Sequence, residues 1–266
     1  MKSIAFASGK GGVGKSTIAL NLGLVLALAG KRVVVVDADL QMANIGVMLG
    51  VERTPITLNN VLAGENQVKD AVYEGPHGLK YVPSGLNLTK LSEIDYPKLK
   101  EAIEALEEQN DFVLIDCPPG LGPDAMAAMQ STKELVLILT PDPASLADAL
   151  KTKTIAEREG VKITGVIVNM VLGDKTEIRR DDLESIMEIP VLVSLPEDKE
   201  VRRSTAAQVP VVTQAPDSRF TKGIIDLASR ITGQRIKQAL PRKGFFQKMK
   251  DFFANLFHKK KPALPA

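Results

Sequence analysis

The 266-residue sequence has no tryptophan, only three tyrosines, one cysteine and two histidines. A single cysteine, Cys117, excludes an intramolecular disulfide, and with only His77 and His258 beside it the chain has little to build a thiol–imidazole metal cluster from. No apolar run approaches the ~20 residues that span a bilayer. The chain opens on a short apolar strand rather than on a basic segment, an apolar stretch and a cleavage site. A reduced, cytoplasmic compartment is therefore expected. An excess of one charge sign is also lacking: 34 Lys and Arg stand against 32 Asp and Glu, a net +2, which gives no electrostatic reason to expect a nucleic-acid partner.

Glycine, by contrast, is concentrated where it carries chemistry. Gly9-Lys10-Gly11-Gly12-Val13-Gly14-Lys15-Ser16-Thr17 follows the apolar run Ile4-Ala5-Phe6-Ala7 and precedes a long apolar-periodic segment. Strand, glycine loop and helix in that order form the setting in which G-x-x-x-x-G-K-[ST] binds phosphate. The backbone N–H groups of residues 11–14 would converge on a triphosphate, aided by the positive end of the helix. Lys15 is expected to reach the β- and γ-phosphates, and the Ser16 hydroxyl to ligate Mg²⁺.

Strands and helices alternate along the rest of the chain. Helices are predicted over 18–29, 44–49, 58–64, 98–108, 145–159, 181–187 and 219–236, with helix or turn over 197–208. Strands are predicted over 33–37, 79–82, 112–116, 135–139 and 191–195, and one ends near Asn169. Four consecutive valines before Asp37 suggest a strand buried on both faces, as in a parallel sheet. The expected fold is α/β: a doubly wound, mostly parallel sheet with helices on both faces, one domain over 1–237, its ligands at the carboxyl ends of the strands. Phe112-Val113-Leu114-Ile115-Asp116 has the Walker B form, a carboxylate at a strand tip that holds Mg²⁺ directly or through its waters.

A second lysine, Lys10, is more than an ordinary phosphate loop needs. With it, Lys10 to Thr17 resembles the deviant Walker A sequence of the MinD/ParA family of ATPases. The resemblance covers about residues 2–237 and implies an ATPase using ATP and Mg²⁺, slow and stimulated by a partner. It implies that Lys10 crosses a dimer interface to the partner's phosphates, so that ATP binding makes a homodimer. It aligns Asp39 with the carboxylate that orients the attacking water and Asp37 with an acid in the Mg²⁺ water shell. Thr17 would offer its hydroxyl to the α-phosphate, Asn169 would read adenine, and the backbone of Pro196-Glu197-Asp198 would line the base. Pro118-Pro119-Gly120 resembles the family's second switch loop.

The end of the chain is different in character. Residues 242–266 hold seven basic residues and one acid, +6, so the other 241 residues carry −4. After a linker over 238–244, large apolar residues counted from Phe245 fall at 0, 1, 4, 7, 8, 11 and 12: Phe245, Phe246, Met249, Phe252, Phe253, Leu256 and Phe257. That is one face of a helix, and lysines flank it, the composition of a helix lying in a membrane interface. MinD members of the family end in a short basic amphipathic membrane-targeting segment that this tail resembles. Each basic residue contributes roughly 1 kcal/mol near an anionic surface and each buried Phe roughly 1.5–3 kcal/mol, against about 1–2 kcal/mol per residue ordered. One tail is marginal, while two on a dimer gain about 10²–10⁴-fold by effective concentration.

The expected activity is ATP-dependent dimerisation that switches binding to the inner face of the cell membrane and so positions a division site or another membrane apparatus, with a protein activator. Four alternatives stay open: a ParA-type partitioning ATPase on DNA, an FlhG-like regulator of flagella, an iron–sulfur carrier on the same fold, and a membrane scaffold that binds ATP without turnover.

Overall fold

The structure is a computed structural model that describes residues 2–51, 53–85 and 94–236. The linker and tail expected over 238–266 lie outside the described residues.

Eight strands form one sheet: β1 (Lys2–Ala7), β2 (Val33–Asp37), β3 (Tyr73–Glu74), β4 (Lys80–Val82), β5 (Phe112–Asp116), β6 (Glu134–Leu139), β7 (Ile163–Val171) and β8 (Val191–Pro196). Their order across the sheet is β3-β4-β2-β5-β1-β6-β7-β8. Every pairing is parallel except β3 with β4 at the edge. The helices are α1 (Lys15–Leu28), α2 (Ile45–Met48), α3 (Leu58–Leu62), α4 (Pro97–Glu107), α5 (Pro123–Gln130), α6 (Pro143–Arg158), α7 (Arg180–Met187), α8 (Lys199–Ala206), α9 (Val211–Gln214) and α10 (Arg219–Thr232).

The alternation of side chains along each strand divides the core in two. Val34, Val36, Val113 and Ile115 face Leu99 and Ile103 of α4, Met129 of α5 and Ala149 of α6. Val33, Val35 and Leu114 face Ile18, Leu22 and Leu24 of α1 with Phe220, Ile224 and Leu227 of α10. Helices thus cover both faces, as a parallel sheet requires.

The differences from expectation have local causes. The first helix begins at Lys15 rather than Ile18, because Gly14 in the left-handed region (φ 96°) turns the chain directly into it. The last stops at Thr232 rather than Ile236, because Gly233 adopts φ 66° and caps it. Strand β7 runs past Asn169 to Val171, with Met170 held at φ 60°. Three short elements fall where sequence periodicity is silent: β3, α5 after Pro118-Pro119-Gly120, and α9.

Candidate nucleotide site

The middle strands β2, β5, β1 and β6 end together, and the loops after three of them build the site. Ser8 follows β1 and Gly14 opens α1 without any side-chain cap, leaving the first backbone N–H groups of the helix for an anion. Gly14 is favoured by its left-handed φ of 96°, and a Cβ there would displace the Asn169 side-chain amide. Lys15 is buried, and its Nζ donates to Ser8 Oγ at 3.0 Å. Lys10 lies at the rim with its side chain 38% exposed, and its Nζ reaches Asp142 Oδ2 at 3.5 Å.

Asp37 and Asp116 are the last residues of adjacent parallel strands and stand opposite each other in register. Both are fully buried. Asp37 accepts from three backbone N–H groups: Asn44 at 2.9 Å, Ile45 at 3.0 Å and Asp39 at 3.3 Å. It therefore shapes the loop that follows β2. Burial nonetheless pushes its carboxyl up to about 6, against those bonds and with help from Asp39. Asp116 is raised well above the ordinary carboxylate range, first by burial and then by the charge of Asp37, with the Ser16 hydroxyl and Lys15 pulling the other way. Neither Asp116 oxygen has a partner at hydrogen-bonding geometry. Asp39 sits nearer the surface. Its Oδ1 accepts from Met42 N at 3.0 Å, and burial raises its carboxyl while Lys15 opposes.

An orphaned buried carboxylate beside a hydroxyl and a second acid is a poor arrangement for a protein alone and a good one for a hard divalent cation. The residues fit Mg²⁺: Ser16 and Asp116 would hold it, and Asp37 would accept from its waters. When bound, Mg²⁺ supplies charge neutralisation on the β- and γ-phosphate oxygens. Of this chain's own residues, Lys15 places an ammonium over the loop, and the Asp39 carboxylate stands near it, held by the backbone of its own loop.

The burial also fixes a pH dependence. A carboxyl whose folded pKa lies above its unfolded value binds protons preferentially in the folded state, so the stability it confers is present at low pH and is lost as pH rises through about 6 for Asp37. Asp116→Asn removes one charge of the pair. It is expected to stabilise the nucleotide-free protein at pH 7.5 by on the order of 1–3 kcal/mol and to flatten the gain that wild type shows on going to pH 5. Thermal unfolding of both proteins with and without Mg²⁺ checks this. An unchanged pH slope would contradict it.

Beside the loop lies a cavity of about 390 Å³ lined by Gly14, Thr17, Asn169, Pro196, Glu197 and Asp198, with Met170, Lys199, Val201, Arg202 and Phe220. Asn169 Nδ2 donates to Val13 O at 2.8 Å, so it ties the end of the phosphate loop to β7. The Asp198 carboxylate accepts from Glu200 N at 3.0 Å and Phe220 N at 3.3 Å. Its side chain is thus committed to α8 and α10, and its carbonyl accepts from Val201 N at 3.0 Å. A larger cleft of about 760 Å³, between α3 and α4, contains none of these residues.

Residues 1–232 match the ParA family model, described as NUBPL iron-transfer P-loop NTPase. The chain belongs to the ParA/MinD family of P-loop NTPases. An uncharacterized ATP-binding protein of Methanocaldococcus jannaschii is 41% identical over 241 residues, 91% of each chain. The cell division ATPase MinD of Pyrococcus furiosus superposes with a TM-score of 0.83 at 37% identity, covering 87% of this chain and 98% of that one. The septum site-determining protein MinD of Pyrococcus horikoshii OT3, complexed with Mg-ADP, gives 0.82 at 35% identity over 86% and 95%. The cofactors of this ParA/MinD chain are ATP and Mg²⁺, and nucleotide hydrolysis is the chemistry of its family.

The fold brings Lys15, Ser16, Asp37, Asp39 and Asp116 to one end of the sheet, with Thr17, Asn169 and residues 196–198 around the adjoining cavity. Ser8, Asp142 and Arg202 join the site without belonging to any sequence motif. Ser8 and Asp142 are marked by their partners in space, while Arg202 is one of three basic residues on α8, with Lys199 and Arg203, and is marked by lining the cavity. Cys117 is buried, and burial raises its thiol further from ionisation. No helix among the described residues is long and apolar enough to cross a membrane.

Proposed function

We propose that the chain is an ATPase whose ATP-bound dimer holds an anionic membrane through residues 245–257 and lets go after hydrolysis. Mg²⁺·ATP seats on residues 11–17, with Ser16, Asp37 and Asp116 around the cation and Asn169 at the base. Two subunits then close, each Lys10 entering the other's site, and Asp39 places the water that ends the cycle. Turnover is slow until a protein partner completes the arrangement. The work done is placement: a septum site, as the name of the Pyrococcus horikoshii relative states for that protein, or another membrane apparatus.

The observation that carries this reading is Lys10. The site already has its own buried lysine, Lys15, and a second one stands at its rim with only an ion pair to Asp142 at 3.5 Å. A half-exposed pair at that distance holds a side chain weakly, worth roughly 0–1 kcal/mol. Lys10 is thus available to phosphates of a second subunit. An acidic-leaning body of −4 with a basic, phenylalanine-rich end supports a membrane rather than DNA as the surface engaged. Co-sedimentation with anionic vesicles in ATP and in ADP tests the proposal.

A further inference from the structure

Ser8 is fully buried between the end of β1 and the first glycine of the loop, and it makes three contacts with functional parts of the molecule. Its Oγ accepts from Lys15 Nζ at 3.0 Å and donates to the backbone carbonyl of Lys10 at 2.7 Å. Its own carbonyl accepts from Gly120 N at 3.1 Å, in the loop after Asp116.

A serine hydroxyl has one proton and two lone pairs. Lys10 O has no proton to give, so the hydroxyl proton must point there, and the lone pairs are what remain for Lys15. The two bonds therefore enforce each other. An ammonium has three protons. With one on Ser8, Lys15 keeps two for phosphate oxygens while staying fixed over the loop. The other bond holds the Lys10 main chain. Its neighbour Gly9 is pressed on α6, where a Cβ would come within 2.5 Å of Asp148 O. The backbone at Lys10 is thus held from both sides, and only its side chain, on Asp142, is loosely placed.

We infer that Ser8 is a positioning residue that roots both loop lysines with one hydroxyl: it aims Lys15 at the phosphates of its own subunit and fixes the base from which Lys10 swings toward the second. The Lys10 half of this inference rests on the proposed function above; the Lys15 half does not.

The test uses the full chain as wild type, Ser8→Ala, Ser8→Thr and Ser8→Cys. Calorimetry with Mg²⁺·ADP reads the hold on Lys15, and light scattering with a saturating non-hydrolysable ATP analogue reads the dimer. Ser8→Ala is expected to weaken Mg²⁺·ADP binding roughly tenfold, the size of one lost hydrogen bond to a charged donor. It is also expected to weaken the saturated dimer by a similar roughly tenfold factor. Ser8→Thr, which keeps the hydroxyl, should restore both. Wild-type values in Ser8→Ala for either measurement overturn the shared root, as does equal damage in Ser8→Thr at an unchanged melting temperature. Should Ser8→Ala lose its cooperative melting transition, the near-isosteric Ser8→Cys decides by the same two measurements. A wild-type chain that stays monomeric with the analogue would instead sink the dimer reading and leave the ADP measurement to judge Ser8 and Lys15.

Discussion

Asp39→Ala should lower ATP turnover by a factor on the order of 10²–10⁴, the usual worth of a positioned proton acceptor, while leaving Mg²⁺·ATP affinity within about threefold of wild type. The separation follows from where the carboxylate stands. Asp39 is tied to its own loop through Met42 N at 3.0 Å with the Gln41 backbone beside it, it is less deeply enclosed than Asp37 and Asp116, and its backbone N–H reaches Asp37 Oδ1. The other acids have different tasks: Asp37 is committed to Asn44 and Ile45, and Asp116 is buried without a partner, suited to a cation. Phosphoryl transfer asks little covalent chemistry of a protein, so loss of the water's orientation falls on the chemical step rather than on binding. In the dimer account the variant should accumulate as an ATP-bound pair. Single-turnover hydrolysis beside equilibrium nucleotide binding checks both halves. A matched loss of affinity would move Asp39 from water placement to cation binding.

Lys10→Ala should be as damaging by a different route. Its Nζ contacts Asp142 and not the Lys15 side of the loop, so Mg²⁺·ADP affinity should stay within about threefold of wild type. Partner-stimulated turnover should fall by roughly 10³–10⁵, the contribution of a cation supplied in trans to the developing charge. Mass measured by light scattering in ATP should remain that of one chain. Asp142 also caps α6, accepting from Ser145 N at 2.9 Å, so removing its lysine partner leaves the helix start in place. Near-normal turnover in Lys10→Ala would reduce Lys10 to a loop charge and return the site to an ordinary one-lysine phosphate loop.

The architecture and the principal acids were legible in the sequence because their signals are local. Four valines ahead of Asp37, and Phe112 to Ile115 ahead of Asp116, announce buried strands with carboxylates at their tips, and in the fold those two strands are neighbours in register. The phosphate loop was legible for the same reason, since strand, glycines and helix are contiguous. What escaped was whatever depends on a partner remote in sequence. Ser8 reads as a turn residue until Lys15 is seen folded back on it. Asp142 reads as the end of a strand between two prolines until Lys10 is seen beside it. Asn169 resembled a base reader, and the fold adds its bond to Val13, 156 positions earlier in the chain. Helix α5 went unread because Pro118-Pro119-Gly120 reads as a break, and the start of the helix, Pro123, sits only three residues further on.

Vesicle co-sedimentation is the most direct test of the link between nucleotide and membrane. Full-length chain with anionic vesicles should bind in Mg²⁺·ATP roughly a hundredfold or more tighter than in Mg²⁺·ADP, the lower end of the gain expected from two tails acting together. The difference should vanish on removing residues 242–266 and fade at high salt as the basic flanks are screened. Binding that is equal in ATP and ADP, or that survives removal of those residues, would contradict the account.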